Sequence, residues 1–131
     1  MTAWTPKLEQ LIQKFADAED KQLKSHLNAK TTAGALLSFL FNGAAMASAY
    51  TNVCAEAGLN PARTDTKENI KTMIELAQQN DSSSADKIIK AQDFGRTVYQ
   101  PFLERHSEIK QDSLRGTYKL MKAAKKEKIQ Y

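Results

Sequence analysis

The sequence holds a single cysteine, Cys54, and only two histidines, His26 and His106. One thiol closes no intramolecular disulfide and builds no cysteine-rich zinc site, which points to a reducing, cytoplasmic setting. The two histidines lie far apart with no HExxH-type spacing, so no metal is expected and both read as surface residues. The N-terminus lacks a basic stretch followed by an apolar run, so no signal peptide is predicted. Five glycines, at 34, 43, 58, 95 and 116, fit neither a phosphate-binding loop nor a dinucleotide fingerprint, and no cofactor is expected. Alternating apolar runs bounded by turns are missing, so no strand is predicted, and there is no repeat of solenoid length.

Charge is missing too, from Thr31 to Ala55, a run of 25 residues. A membrane span is one reading of such a run. Ser38, Asn42, Ser48, Thr51 and Asn52 dilute it, many of its apolar positions are only alanine, and no basic cluster flanks it closely. A helix buried on most sides is the better reading. Its bulk sits at Leu36, Leu37, Phe39, Leu40 and Phe41, and its small residues run from Gly43 to Ala49. Gly34 and Gly43 each cost about 1 kcal/mol against alanine in a helix interior, so packing must offset them. Close helix crossing is the plain explanation, and a self-association face is the alternative.

What is present describes a folded helical chain. Apolar residues make up 41% and charged residues 26%, far from the signature of disorder. At 131 residues one domain is expected. Thr5 caps a first helix with Pro6 at its first position, and Leu8, Leu11, Ile12, Phe15, Ala16, Leu23 and Leu27 form its apolar stripe. Residues 28–32 read as a break, with Thr31 or Thr32 capping the uncharged helix. Gly58, Leu59 and Pro61 end that helix. Asp65 with Glu68 offers the next N-cap, and Ile70, Met73, Ile74 and Ala77 line a short helix ending near Asn80. The polar stretch 80–84 reads as a loop, with Ser83 or Ser84 capping a fourth helix that carries Ile88, Ile89, Phe94, Val98 and Phe102. Pro101 implies either a kink or a fresh start there. A last helix begins after His106-Ser107 or at Asp112-Ser113 and presents Leu114, Tyr118, Met121 and Ala124 on one side, with Ile129 beyond. The expected architecture is an all-α, single-domain bundle of about five helices around a central, largely uncharged helix at about 32–57. Residues 1–131 form the domain, with a basic helix or tail at 113–131.

Candidate chemistry is sparse. Cys54 lies in the uncharged helix and reads as a buried apolar side chain rather than a nucleophile. Glu19 and Asp20 are adjacent, point in different directions and read as solvated charges. No catalytic residue is named and the chain is not expected to be an enzyme. The net charge of +4 is unevenly placed. From 115 to 131 six cations face Glu127 alone, leaving the rest of the chain slightly acidic. Arg115, Lys119, Lys122 and Lys126 recur at helical spacing, with Lys125 beside them, and such a stripe suits a phosphate backbone. Tyr118 and Tyr131 would add stacking on unpaired bases. The bland reading is that lysines complement a helix C-terminus and aid solubility. The functional expectation is a small non-catalytic subunit contacting nucleic acid without sequence preference inside a nucleoprotein assembly. The alternative is a protein-interaction module or homo-oligomer with no nucleic-acid role. Membrane-surface binding would need a stronger amphipathic helix than this one.

Overall fold

The computed structural model describes residues 4–28, 32–111 and 113–131, with side chains described for 4–25, 27, 43–111 and 113–131. Thr31, the side chain of Thr32, the side chains of the bulky run Leu36 to Phe41, the His26 side chain and Asp112 lie outside what the structure describes. Helices α1 (Pro6–Asn28), α2 (Thr32–Ala57), α3 (Thr66–Asn80), α4 (Ser82–Phe94), α5 (Gln100–Arg105) and α6 (Leu114–Lys126) form an all-α bundle with no strand among the described residues. A π-helical segment, Gly95–Tyr99, joins α4 to α5 without a break, so the six segments make five rods. Among the described residues no helix is long and apolar enough to cross a membrane.

Local chemistry sets the boundaries. Thr5 Oγ1 accepts the Leu8 N–H at 3.1 Å, the expected N-cap of α1. At the end of α2, Gly58 takes φ 77°, the Leu59 N–H donates to the Cys54 carbonyl at 2.7 Å and the Gly58 N–H to that of Ala55 at 3.3 Å. This is the Schellman arrangement, and Leu59 packs back on the core as it requires.

Two expected caps are corrected. Asp65 makes no side-chain cap to α3. Its carboxylate instead pairs with Arg63 at 3.3 Å, which draws it away from the helix end. The stretch 80–84 is barely a loop, because Asp81 rather than a serine caps α4. Asp81 Oδ1 accepts from Ser83 and Ser84 N–H at 3.0 and 3.4 Å, so α4 starts at Ser82.

At Pro101 the rod stays helical but changes type: the π-helical turn ends at Tyr99 and α5 starts at Gln100, with Pro101 in its first turn. Its ring would crowd the carbonyl four residues back and it donates no hydrogen bond. The π segment absorbs both by widening one turn, and the Gln100 N–H reaches back five residues to the Gly95 carbonyl.

Two apolar clusters hold the bundle. Leu8, Ile12, Phe15 and Ala16 of α1 meet Val53 and Ala57 of α2, Met73, Leu76 and Ala77 of α3, and Ala85 and Ile88 of α4. The far end of α1 enters the second cluster through Leu27, with Phe102 of α5 and Leu120 and Ala124 of α6. Thus α1 serves both clusters. It also runs in the same direction as α4: Gln13 bonds Ser84, and Asp17 meets Lys87 at 2.5 Å. The described half of α2 is one-sided rather than buried on most sides. Val53, Cys54 and Ala57 face the core, while Ala44, Ala45, Ala47, Ser48, Thr51, Asn52 and Ala55 are exposed. Small uncharged side chains demand no burial, so lack of charge alone overstated enclosure.

Candidate nucleic-acid interface

The orientation of α6 begins at its cap. Ser113 Oγ accepts the Gly116 N–H at 2.9 Å, satisfying one of the free donors of the first turn. Gly116 is buried against the Lys110 carbonyl, which leaves no room for a Cβ. The Thr117 hydroxyl, also buried, donates to the Ser113 carbonyl at 2.9 Å. These contacts turn Gly116, Thr117, Leu120, Met121 and Ala124 inward. Leu114 and Tyr118, expected on one apolar side with Met121 and Ala124, are therefore outside, at 52% and 47% exposure.

At about 100° per residue, Arg115, Lys119, Lys122 and Lys126 fall within about 60° of arc, centred almost opposite the buried face. Lys125 lies between them and Leu114. All five cations are exposed. None is within ion-pair distance of a carboxylate among the described residues; of the other described cations, Lys7, Lys24, Arg63, Lys87, Arg96 and Arg105 are paired, while Lys14, Lys21, Lys67, Lys71, Lys90, Lys110 and Lys128 are not. The Lys122 ammonium lies 5.1 Å from the Tyr118 ring centre, a cation–π contact that keeps an aromatic ring at the edge of the stripe.

The one acid of this segment is engaged elsewhere. Glu127 meets His106 Nε2 and Arg105 Nη2, each at 2.6 Å. The His106 and Arg105 hydrogen bonds hold its carboxyl below the usual range. Beyond the helix, Lys128 takes φ 56° and the Ile129 N–H donates to the Ala124 carbonyl at 2.9 Å, a second Schellman turn with lysine where glycine is usual. The chain then folds back. Tyr131 donates its hydroxyl to Asp20 at 2.6 Å and packs edge-on to Phe94 at 4.9 Å. Lys24 and Lys90 lie over its ring at 5.4 and 5.0 Å. Tyr131 is consequently a packing residue, and its expected stacking on bases is withdrawn; Tyr118 keeps its exposed ring.

The chain matches no family model, no curated protein and no solved structure. The reading of α6 therefore stands on its geometry.

Elsewhere the structure sorts the remaining candidates. Cys54 is fully buried, and burial pushes its thiol pKa up, opposite to what a nucleophile needs. His106 is half-buried, 5.0 Å from the Phe102 ring centre, and its Nε2 meets Glu127 at 2.6 Å. No group of metal-ligand type occurs among the described residues.

Glu19 and Asp20 are not equivalent solvated charges. Burial works against the Asp20 carboxylate, but hydrogen bonds from Tyr131 and Lys24 outweigh it and hold its pKa low. Glu19 turns inward, and burial raises its carboxyl to about 7. Sequence reasoning read Glu19 as solvated, gave Gly95 no role and missed Gln92; all three line one cleft. Of these only Gly95 gave a signal, as a glycine inside a helical pattern.

Proposed function

We propose that the protein is a non-catalytic helical subunit that binds the nucleic-acid backbone through the exposed cationic face of α6, as an accessory part of a cytoplasmic nucleoprotein assembly. One observation carries this reading: four cations share a narrow arc opposite the buried face, with no counter-ion among the described residues. Complementing the helix dipole explains Lys125 and Lys126 in the last turn. It does not explain Arg115 in the first turn, where the dipole disfavours a cation. Contacts from lysine and arginine to phosphate position a protein without reading bases, so no sequence preference is expected.

The test is fluorescence anisotropy with labelled single- and double-stranded DNA and RNA. A variant with Arg115, Lys119, Lys122 and Lys126 all changed to Gln is compared with an equally discharged control at Lys14, Lys21, Lys67 and Lys71. The expected result is a loss of at least about tenfold in affinity for the α6 variant only. Equal losses in both would reduce the effect to net charge, and no binding at low salt would end the reading.

A second reading is favoured by the exposed, uncharged face of α2 from Ala44 to Ala55. Small side chains there would let a second copy approach closely. Sedimentation equilibrium tests it: a monomer throughout, with Ala47→Glu unchanged, removes the homo-oligomer.

A further inference from the structure

The two large apolar side chains exposed among the described residues, Leu114 and Tyr118, both stand on α6, one helical turn apart. Neither belongs to an apolar cluster of the fold. One exposed leucine would mean little, but both such side chains on one short face mark a place that something covers.

That face is also the cationic one. Neighbours on a helix surface stand three and four positions apart, so Tyr118 is flanked by Leu114, Arg115 and Lys122, with buried Met121 on its inner side. At about 100° per residue, Lys125 falls within about 20° of it, two turns on. The Lys122 ammonium, 5.1 Å from the ring centre, sets the ring among the cations rather than apart from them. With 47% of the residue exposed, ring surface remains for a flat partner.

We infer that the nucleic acid α6 takes is single-stranded: its phosphates follow Arg115, Lys119, Lys122 and Lys126 while one base lies on the Tyr118 ring against Leu114. This rests on the reading of α6 as the nucleic-acid face and adds which form is bound. A duplex presents the same phosphates but keeps its base faces stacked inside, so it covers neither apolar side chain. A single strand offers a π-face at every nucleotide, and stacking on it tolerates any base. A lipid surface, the competing anionic occupant, needs more apolar area than two side chains on a 13-residue helix provide.

Three labelled probes about ten nucleotides long separate these cases by fluorescence anisotropy: a thymidine single strand, an abasic strand with the same phosphates, and a duplex. The native protein is expected to bind the thymidine strand at least about fivefold more tightly than the abasic one. It should bind that strand at least as tightly as the duplex, whose charge density is higher. Tyr118→Leu keeps charge and apolar bulk at an exposed position, so its melting temperature should be native. It should lose about fivefold or more on the thymidine strand and nothing on the other two, whereas Tyr118→Phe binds as the native chain does. The Tyr118 ring-proton NMR signals should move upfield with the thymidine strand and not with the abasic one. Equal binding of thymidine and abasic strands, tighter binding of the duplex, or a Tyr118→Leu loss common to all three probes would overturn this inference and leave the charge reading standing. No binding to any probe would overturn both. Displacement of the thymidine strand by phosphatidylglycerol vesicles at equal phosphate would give the face to a lipid surface instead.

Discussion

Replacing Glu19 by Gln should make the protein more stable at pH 8 and much less so at pH 5. Burial raises this carboxyl from 4.5 to about 7, and no basic partner compensates. A tenfold change in proton affinity is worth about 1.4 kcal/mol, so the ionised form is penalised by about 3 kcal/mol in the folded state. The direction follows from proton counting. Between pH 4.5 and 7 the folded chain binds this proton more tightly than the unfolded chain does, so stability falls as pH rises through that window. Glutamine keeps the shape and removes the titration. Urea unfolding of both proteins at half-unit steps from pH 5 to 8 isolates Glu19, because His26 and His106 are common to both. The difference should grow from about 1 kcal/mol at pH 5 to about 3 kcal/mol at pH 8 in favour of the Glu19→Gln variant. A difference that is flat with pH, or that grows towards acid, would refute the buried, unpaired assignment.

Two further substitutions test the α6 boundaries. Gly116→Ala should destabilise by about 2 kcal/mol or more in thermal or urea unfolding, because its methyl would press on the Lys110 carbonyl rather than on a movable side chain. A neutral result would mean that the 110–113 turn does not lie against the helix. Lys128→Gly should raise stability by about 1 kcal/mol, since Lys128 holds a left-handed conformation at φ 56° that costs a side-chain-bearing residue about that much. Calorimetry showing no gain would place the strain elsewhere.

Much of the architecture was legible because helix ends are written in short local codes. Thr5-Pro6 and Gly58-Leu59 act through their own backbone neighbours, and both behave as their chemistry dictates. Asp65 and Asp81 show the limit of such codes. Each has the right side chain beside a helix start, but Arg63 competes for the first, while the second displaces the serines that follow it as the cap. The face that α6 buries was misread for a different reason. Leu114, Tyr118 and Met121 satisfy the periodicity, but the rotation is decided by a glycine pressed on a backbone carbonyl and a threonine bonding back to Ser113. Hydropathy gives no weight to either. The cationic stripe was readable since spacing alone puts its members on one side. The inward turn of Glu19 was not, because it depends on how α1 lies along α4, a long-range fact that its acidic neighbour Asp20 conceals.

The central claim is that the α6 stripe meets phosphate as a unit. Its most direct test is the slope of log affinity against log salt for a short DNA duplex. Four to five neutralised phosphates predict a slope of about −3.5 to −4.5 for the native chain, falling towards zero when Arg115, Lys119, Lys122, Lys125 and Lys126 become Gln. A native slope near zero, or one that survives those substitutions, would contradict it.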